Sequence, residues 1–193
     1  MNKELLSAAA IVLTIVAFIP YIRSILSGQT KPHVFSWIIW GLATVIVFFA
    51  QLADGAGVGA WAIGLSGLIT LYIAFLAYRR RADDSITKTD WMFFAGAMAS
   101  LPFWYLTRNP FWAVVILTTV DTLGFGPTFR KAYHKPYEEQ LLLYILVAFR
   151  NGISIAALEH YSWTTVLFPA VVSAACAAFI VMVLARRGCC SLR

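Results

Sequence analysis

The sequence predicts an all-α, polytopic membrane protein: seven transmembrane helices forming two parallel three-helix bundles joined by a linker helix. Three observations carry this expectation. Hydrophobic residues make up 61% of the chain and charged residues 12%, with mean hydropathy +0.77, more apolar surface than one soluble core of 193 residues can hide. The surplus divides into seven apolar runs, each of about 17 to 25 residues and so long enough to cross a hydrocarbon core of about 30 Å as a helix. Continuous runs of this kind disfavour a transmembrane β-barrel, whose strands alternate over about ten residues. Finally, the basic residues gather on one side of these runs.

The first run, Leu5–Leu26, follows Lys3 and contains Ala8, Ala9 and Ala10, a composition it shares with signal peptides; its counterpart later in the chain argues that it is retained. It ends in "IPYIRSILSGQTKP", punctuated by Pro20, Arg23, Lys31 and Pro32. The second, His33–Ala53, carries Trp37 and Trp40, and Trp40 shares a face with Ser36 and Thr44 at four-residue spacing. The third, Val58–Tyr78, has Gly64 and Gly67 where close helix packing would want small residues. The stretch "YRRRADDSITKTD" then leads into the fourth run, Trp91–Thr107, as a connector. The fifth, Phe111–Arg130, closes on "GPTFRKAYHKP", a second version of the first punctuation. The sixth is Leu141–Leu158; the seventh, Ser162–Ala185, offers Ala174, Ala175, Ala177 and Ala178 for close packing.

Laid on the first half, the second aligns Pro127 with Pro20, Arg130 with Arg23, Pro136 with Pro32, Glu159 with Asp54 and Trp163 with Trp61. The division is therefore a first bundle over 1–82, a linker with the fourth span over 83–109, and a second bundle with a short tail over 110–193. A triplet of spans reverses direction, so the single extra helix returns the second triplet to the orientation of the first. Parallel repeats are a known transporter design, with the solute held near the midplane between them.

If seven spans alternate, one side carries Arg23, Lys31, Arg79, Arg80, Arg81, Lys88, Arg130, Lys131, Lys135, Arg186, Arg187 and Arg193, and the other only Lys3 and Arg108. The positive-inside rule then places the chain in the cytoplasmic (inner or plasma) membrane with its amino terminus outside and its carboxyl terminus in the cytoplasm. The same placement explains the net charge of +6 without nucleic acid as a partner, since no basic cluster is interleaved with polar, foldable sequence. Cys189 and Cys190 follow Arg186 and Arg187 on the reducing side, where disulfides do not persist; they read as free thiols or as an S-acylated juxtamembrane pair.

Seven spans in a 3+1+3 order, with a proline near the cytoplasmic end of the first helix of each triplet, resemble the SWEET and PQ-loop clan of small-solute transporters. In "PYIRSILSGQTKPHVFSW" the proline is followed by Gln29 and Thr30 and then by a new helix, similar to the PQ-loop motif, although Tyr21 and Thr128 stand where that motif has glutamine. The resemblance implies that Pro20 and Pro127 are hinges, and it points to Ser66 and Ser173 as the polar residues nearest the family's pocket positions in the third helix of each triplet. It also implies alternating access to a sugar or similar metabolite. A helix-interior proline removes one backbone hydrogen bond and bends the chain, which membrane helices tolerate where neighbours satisfy the freed carbonyl. Either prolines 20 and 127 bend their helices or they end them; Pro32 and Pro136 read as starts of the next element.

Charged residues inside spans are the sharper signal. Asp121 lies about 16 Å into the fifth run and Arg150 about 12 Å into the sixth at 1.5 Å per residue. A lone charge at such depth costs at least about 2.5 kcal/mol, and such residues pair, face the bundle interior or line a pathway. An Asp121–Arg150 ion pair is the first expectation. Thr118 and Ser154 share their helical faces, whereas Thr122 and Asn151 are adjacent in sequence only. The matching positions of the first half fall near Thr14 and Val45, so the charges break the repeat. They either bind a polar solute, couple transport to a proton, or pin two helices as a buried salt bridge. Expected solute-binding residues are thus Asp121, Arg150, Asn151, Trp40, Ser66, Thr118 and Ser154; Trp40 could stack on a sugar or nucleoside ring or simply pack. Trp91, Trp112 and Trp163 sit at run ends, as interfacial anchors do.

No phosphate-binding glycine loop, HExxH, paired zinc spacing or serine elbow is present, and the seventh run has no mid-span lysine to hold retinal. No enzyme activity, cofactor or metal is expected. Partners are a small-molecule solute, which could be a sugar, an amino acid or a nucleoside-like vitamin, the lipid bilayer, and a possible second copy or membrane protein. The rival class is a receptor or an accessory subunit that scaffolds a larger membrane complex.

Overall fold

The structure, a computed structural model, describes residues 2–29, 34–80, 88–134, 136 and 141–191. Every element among them is helical: α1 Lys3–Leu26, α2 Val34–Ala53, a 3₁₀ turn Gly57–Ala60, α3 Trp61–Arg79, α4 Lys88–Thr107, α5 Pro110–His134, α6 Leu141–Ala156 and α7 Trp163–Ser191. Each apolar run is one α-helix with its ends moved by a few residues, and the third begins as the 3₁₀ turn. Three helical stretches, Lys3–Leu26, Gly57–Arg79 and Trp163–Gly188, are long and apolar enough to cross a membrane, and Trp37–Ala53, Pro110–Phe125 and Leu141–Ala156 are shorter apolar helices.

Local chemistry sets the helix ends. Asn2 caps α1 by accepting from the Glu4 amide at 3.0 Å, and Asn109 caps α5 by accepting from the Phe111 amide at 2.9 Å, with Pro110 at the first helical position, where its missing N–H costs nothing. Ser162 and Thr165 cap α7 reciprocally: the Thr165 amide donates to Ser162 Oγ at 3.2 Å and the Ser162 amide to Thr165 Oγ1 at 3.0 Å. Helices α1 and α2 stop alike. Gly28 and Gly55 take φ of +76° and +78°, and in each case two amides turn back, Gln29 to Ser24 O and Gly28 to Ile25 O, Ala56 to Gln51 O and Gly55 to Leu52 O. This is the left-handed glycine stop.

Pro20 does not end α1, which runs on to Leu26 with Pro20 exposed on its surface. Helix α5 likewise runs through position 127 to His134. Pro102 and Pro169 also lie inside helices, α4 and α7. The residues Thr30, Lys31, Pro32, His33, Arg81, Lys135 and Arg193 lie outside the described residues, as do the side chains of Ser36, Pro127, Thr128, Arg130, Lys131, His134, Cys189 and Cys190.

Helix α3 packs against both α1 and α2, and α7 against both α5 and α6; α1 lies on α6, α2 on α5 and α7, and α4 on α5 and α2. Close approach of α2 and α3 requires the expected glycines: a Cβ on Gly64 would stand 2.8 Å from Phe48 Cδ2, and one on Gly67 would stand 2.8 Å from Val45 Cγ2. The alanine set of α7 behaves otherwise, since Ala174, Ala177 and Ala178 are exposed; Cys176 and Phe179 hold the buried face between them. The main core joins Ala43 and Val47 of α2, Val114 and Leu117 of α5, and Phe168 and Val172 of α7. Outward faces are apolar at helical spacing, with Val12, Ile15, Val16 and Ile19 on α1, Leu68, Tyr72 and Phe75 on α3, and Val181 and Leu184 on α7. Such faces suit hydrocarbon better than water.

Candidate functional site

Several buried hydroxyls among the described residues are satisfied within their own helices. Thr14, Thr44 and Thr70 donate to Ala10 O, Trp40 O and Ser66 O at 2.8 Å each, the four-residue back-bond that helical threonines find locally. Thr119 and Thr122 do the same on α5, to Val115 O at 2.8 Å and Thr118 O at 2.7 Å. Thr118, just before Thr119, does not. Its Oγ1 is buried with no hydrogen-bond partner among the described residues, and the same holds for Asn151 Oδ1 and Nδ2 and for Ser154 Oγ. Leaving a buried polar group unpaired costs about 1–3 kcal/mol, so four such atoms on two helices are an exceptional concentration.

These atoms lie on the same two helices as the two buried charges. Asp121 is 8% exposed and stands three residues after Thr118 on α5; Arg150 is 4% exposed and stands four residues before Ser154 on α6. Asn151, read from sequence as merely adjacent to Arg150, is fully buried with Arg150 and Ser154 on one face of α6. The expected ion pair is not formed: among the described residues Asp121 has no hydrogen bond or ion pair, and Arg150 donates from Nη1 to Ala62 O of α3 at 3.3 Å. Arg150 makes its contact to α3 instead, whereas α5, which carries Asp121, packs on α7, α4 and α2.

The remaining expected residues are distributed around this centre. Trp40, half-buried on α2, lies over Gly124 of α5, where an added Cβ would come within 2.6 Å of its Nε1; Gly124 is three residues beyond Asp121. Its indole meets Trp37 edge-on at 5.8 Å. Ser66 is buried on α3, one turn beyond the carbonyl that receives Arg150, and is not bonded to the α5–α6 groups. Ser173 is pinned by its hydroxyl to Ala148 O at 3.1 Å. An open groove of about 340 Å³, lined by Thr118, Thr119, Thr122 and Leu123 of α5 and Leu167 and Val171 of α7, runs beside the cluster.

At one end of the bundle the α2–α3 and α6–α7 connections interlock. The Glu159 amide donates to Ala56 O at 3.1 Å, the Val58 amide to Glu159 Oε1 at 3.1 Å, and His160 Nδ1 lies 2.9 Å from Asp54 O. Ser162 donates to the Asp54 carboxylate, and Lys3 Nζ reaches Leu158 O at 2.5 Å. The backbones touch as well, for a Cβ on Gly59 would stand 2.7 Å from Leu158 N. Arg186 and Arg187 bind Tyr133 O and Pro136 O at 3.1 and 3.0 Å near the far end of α7.

Sequence reasoning missed Gln51. It is 1% exposed, donates from Nε2 to Thr165 O at 2.7 Å, and leaves its buried Oε1 unpaired; an amide three residues before Asp54 at a run end was the available signal. Cys176, for which the sequence offered little, is 1% exposed on α7. Among the described residues no group of acidic, cysteine and histidine side chains could hold a metal ion. No family model, curated protein or solved structure matches this chain.

Proposed function

We propose that this protein is a membrane carrier that binds a small polar solute between two helical repeats and exposes it alternately to the two sides. The observation that carries the reading is the set of buried, unpaired polar atoms on Thr118, Asn151 and Ser154 beside Asp121 and Arg150. A purely structural network would satisfy its members, and buried charges are a poor source of net stability; a set left open is suited to an exchangeable ligand that pairs with it.

The packing pattern supports the repeat. Exchanging α1, α2 and α3 for α5, α6 and α7 turns the α1–α6 contact into the α5–α2 contact, and both are made; it also turns α3, shared by α1 and α2, into α7, shared by α5 and α6. Asp54 and Glu159, matched in the sequence alignment of the halves, each hold the opposite connection. On this reading seven helices cross the membrane in the 3+1+3 order of the SWEET and PQ-loop clan, with the interlocked end outside and the arginine end cytoplasmic. The interlock would then close the outer side over the α5–α6 site, and Pro20 and Pro127 would lie in the cytoplasmic halves of α1 and α5, where a hinge would open the other side. The test is uptake of a metabolite panel into proteoliposomes. Asp121→Asn, neutral and nearly isosteric, is expected to fold with an unchanged elution profile and to lose uptake; unchanged uptake would overturn the reading.

A further inference from the structure

We infer that Arg186 binds the phosphate of an anionic lipid at the end of the bundle where α5 and α7 emerge. The inference concerns the membrane surface and stands apart from the α5–α6 site. Helix α7 fixes the depth. Its exposed Trp163 has the place of an interfacial anchor, and Arg186 follows about 35 Å further along the helix at 1.5 Å per residue. A hydrocarbon core of about 30 Å ends just short of it, so the guanidinium stands at headgroup level.

The side chain is also held in place. Arg186 donates from Nε to Tyr133 O at 3.1 Å, and its guanidinium lies 4.3 Å from the centroid of the Tyr133 ring, a cation–π contact. Tyr133 is itself 47% exposed, so the stacked pair lies at the surface and not in the core. Only one of the five guanidinium N–H groups is spent on the carbonyl. A planar fork fixed by a ring and a carbonyl offers its remaining N–H groups in the geometry that phosphate oxygens accept, and it has little side-chain freedom left to lose on binding.

Neighbouring charge favours an anion. Arg187 donates from Nε to Pro136 O at 3.0 Å, so two adjacent arginines are anchored on the same short stretch of chain. In sequence the end of α5 and the connection beyond it carry Arg130, Lys131 and Lys135 against Glu138 and Glu139; with the two arginines of α7 the balance is positive, as in basic clusters that attract anionic headgroups beside a membrane span. Helix α3 supplies a contrast. It starts at the interlocked connections as α7 does, so both end on the far side, and its Arg79 lies over Phe75 at 6.0 Å with no carbonyl holding the guanidinium among the described residues. Arg79 thus brings the same charge to the same end without the fixed geometry.

The test titrates the full chain, purified in a neutral detergent, with phosphatidylglycerol, phosphatidylcholine and inorganic phosphate, read by melting temperature and by native mass spectrometry of retained lipid. Phosphatidylglycerol is expected to be retained and to raise the melting temperature, with phosphatidylcholine and inorganic phosphate weaker by about tenfold or more. Arg186→Gln is expected to weaken phosphatidylglycerol by about tenfold, the order of one charge-assisted hydrogen bond, whereas Arg79→Gln is expected to change it little. Arg186→Lys, which keeps the charge and loses the fork, serves if the glutamine variant does not fold, and is expected to lose most of the preference for phosphatidylglycerol. Equal binding of the two lipids would overturn the proposal. Equal losses in the Arg186 and Arg79 variants would overturn it too, since they would show a diffuse effect of charge. Stabilisation by inorganic phosphate as strong as that by phosphatidylglycerol would overturn the lipid as occupant and show a site for a free anion.

Discussion

A single asparagine separates a structural from a functional account of the site. Asn151 buries two polar amide atoms with no partner among the described residues, so replacing it by leucine, of the same branched shape though larger, removes a desolvation cost of about 1–3 kcal/mol. Asn151→Leu is therefore expected to raise the melting temperature of the purified protein while abolishing solute-dependent stabilisation; a variant that melts lower would show that Asn151 holds the fold. The carrier reading requires such a trade of stability for an open site. Asp121 and Arg150 were legible as unusual residues because charge is rare at such depth. Asn151 was expected with them from its place beside Arg150, but that both its amide atoms are buried was not legible, because neighbours in sequence differ by about 100° on a helix and the packing decides which of them is buried.

Between elements, the tightest constraint is the interlocked pair of connections. Gly59 lies against the Leu158 and Ala157 backbone, which cannot rotate away as a side-chain tip can. Gly59→Ala is expected to destabilise the protein by about 1–3 kcal/mol, as overpacking does, measured by thermal unfolding in detergent. Gly41→Ala, which meets the Leu71 side chain first, is expected to cost less. The same interlock makes a conformational test. Ala56→Cys with Glu159→Cys, in a background whose native cysteines are replaced, joins residues whose backbones already share a hydrogen bond of 3.1 Å. Oxidation is expected to stop transport and reduction to restore it; full activity in the oxidised state would show that this end need not open. The sequence announced the participants, since Asp54 and Glu159 occupy matched positions, but their meeting is a long-range contact that no local pattern encodes.

For the whole molecule, the prediction concerns sidedness. Reporter fusions after residue 193 and within the 54–60 connection are expected to report cytoplasm and exterior respectively, because twelve of the basic residues would otherwise have to cross the membrane. Helix number and approximate bounds were readable from composition and the apolar runs, because each depends on residues within a few positions of one another. Which helices touch depended on tertiary packing alone. It packed α5 on α7, α4 and α2 and left Asp121 without an ion pair among the described residues; it turned Arg150 toward Ala62; and it buried polar atoms of Thr118, Asn151 and Ser154 without partners among the described residues. The sequence by itself determined that two opposite charges would be buried in a helical bundle. Only the assembled bundle decided that they would not neutralise each other, because contact between side chains on different helices is set by how the helices pack and not by the order of residues along them.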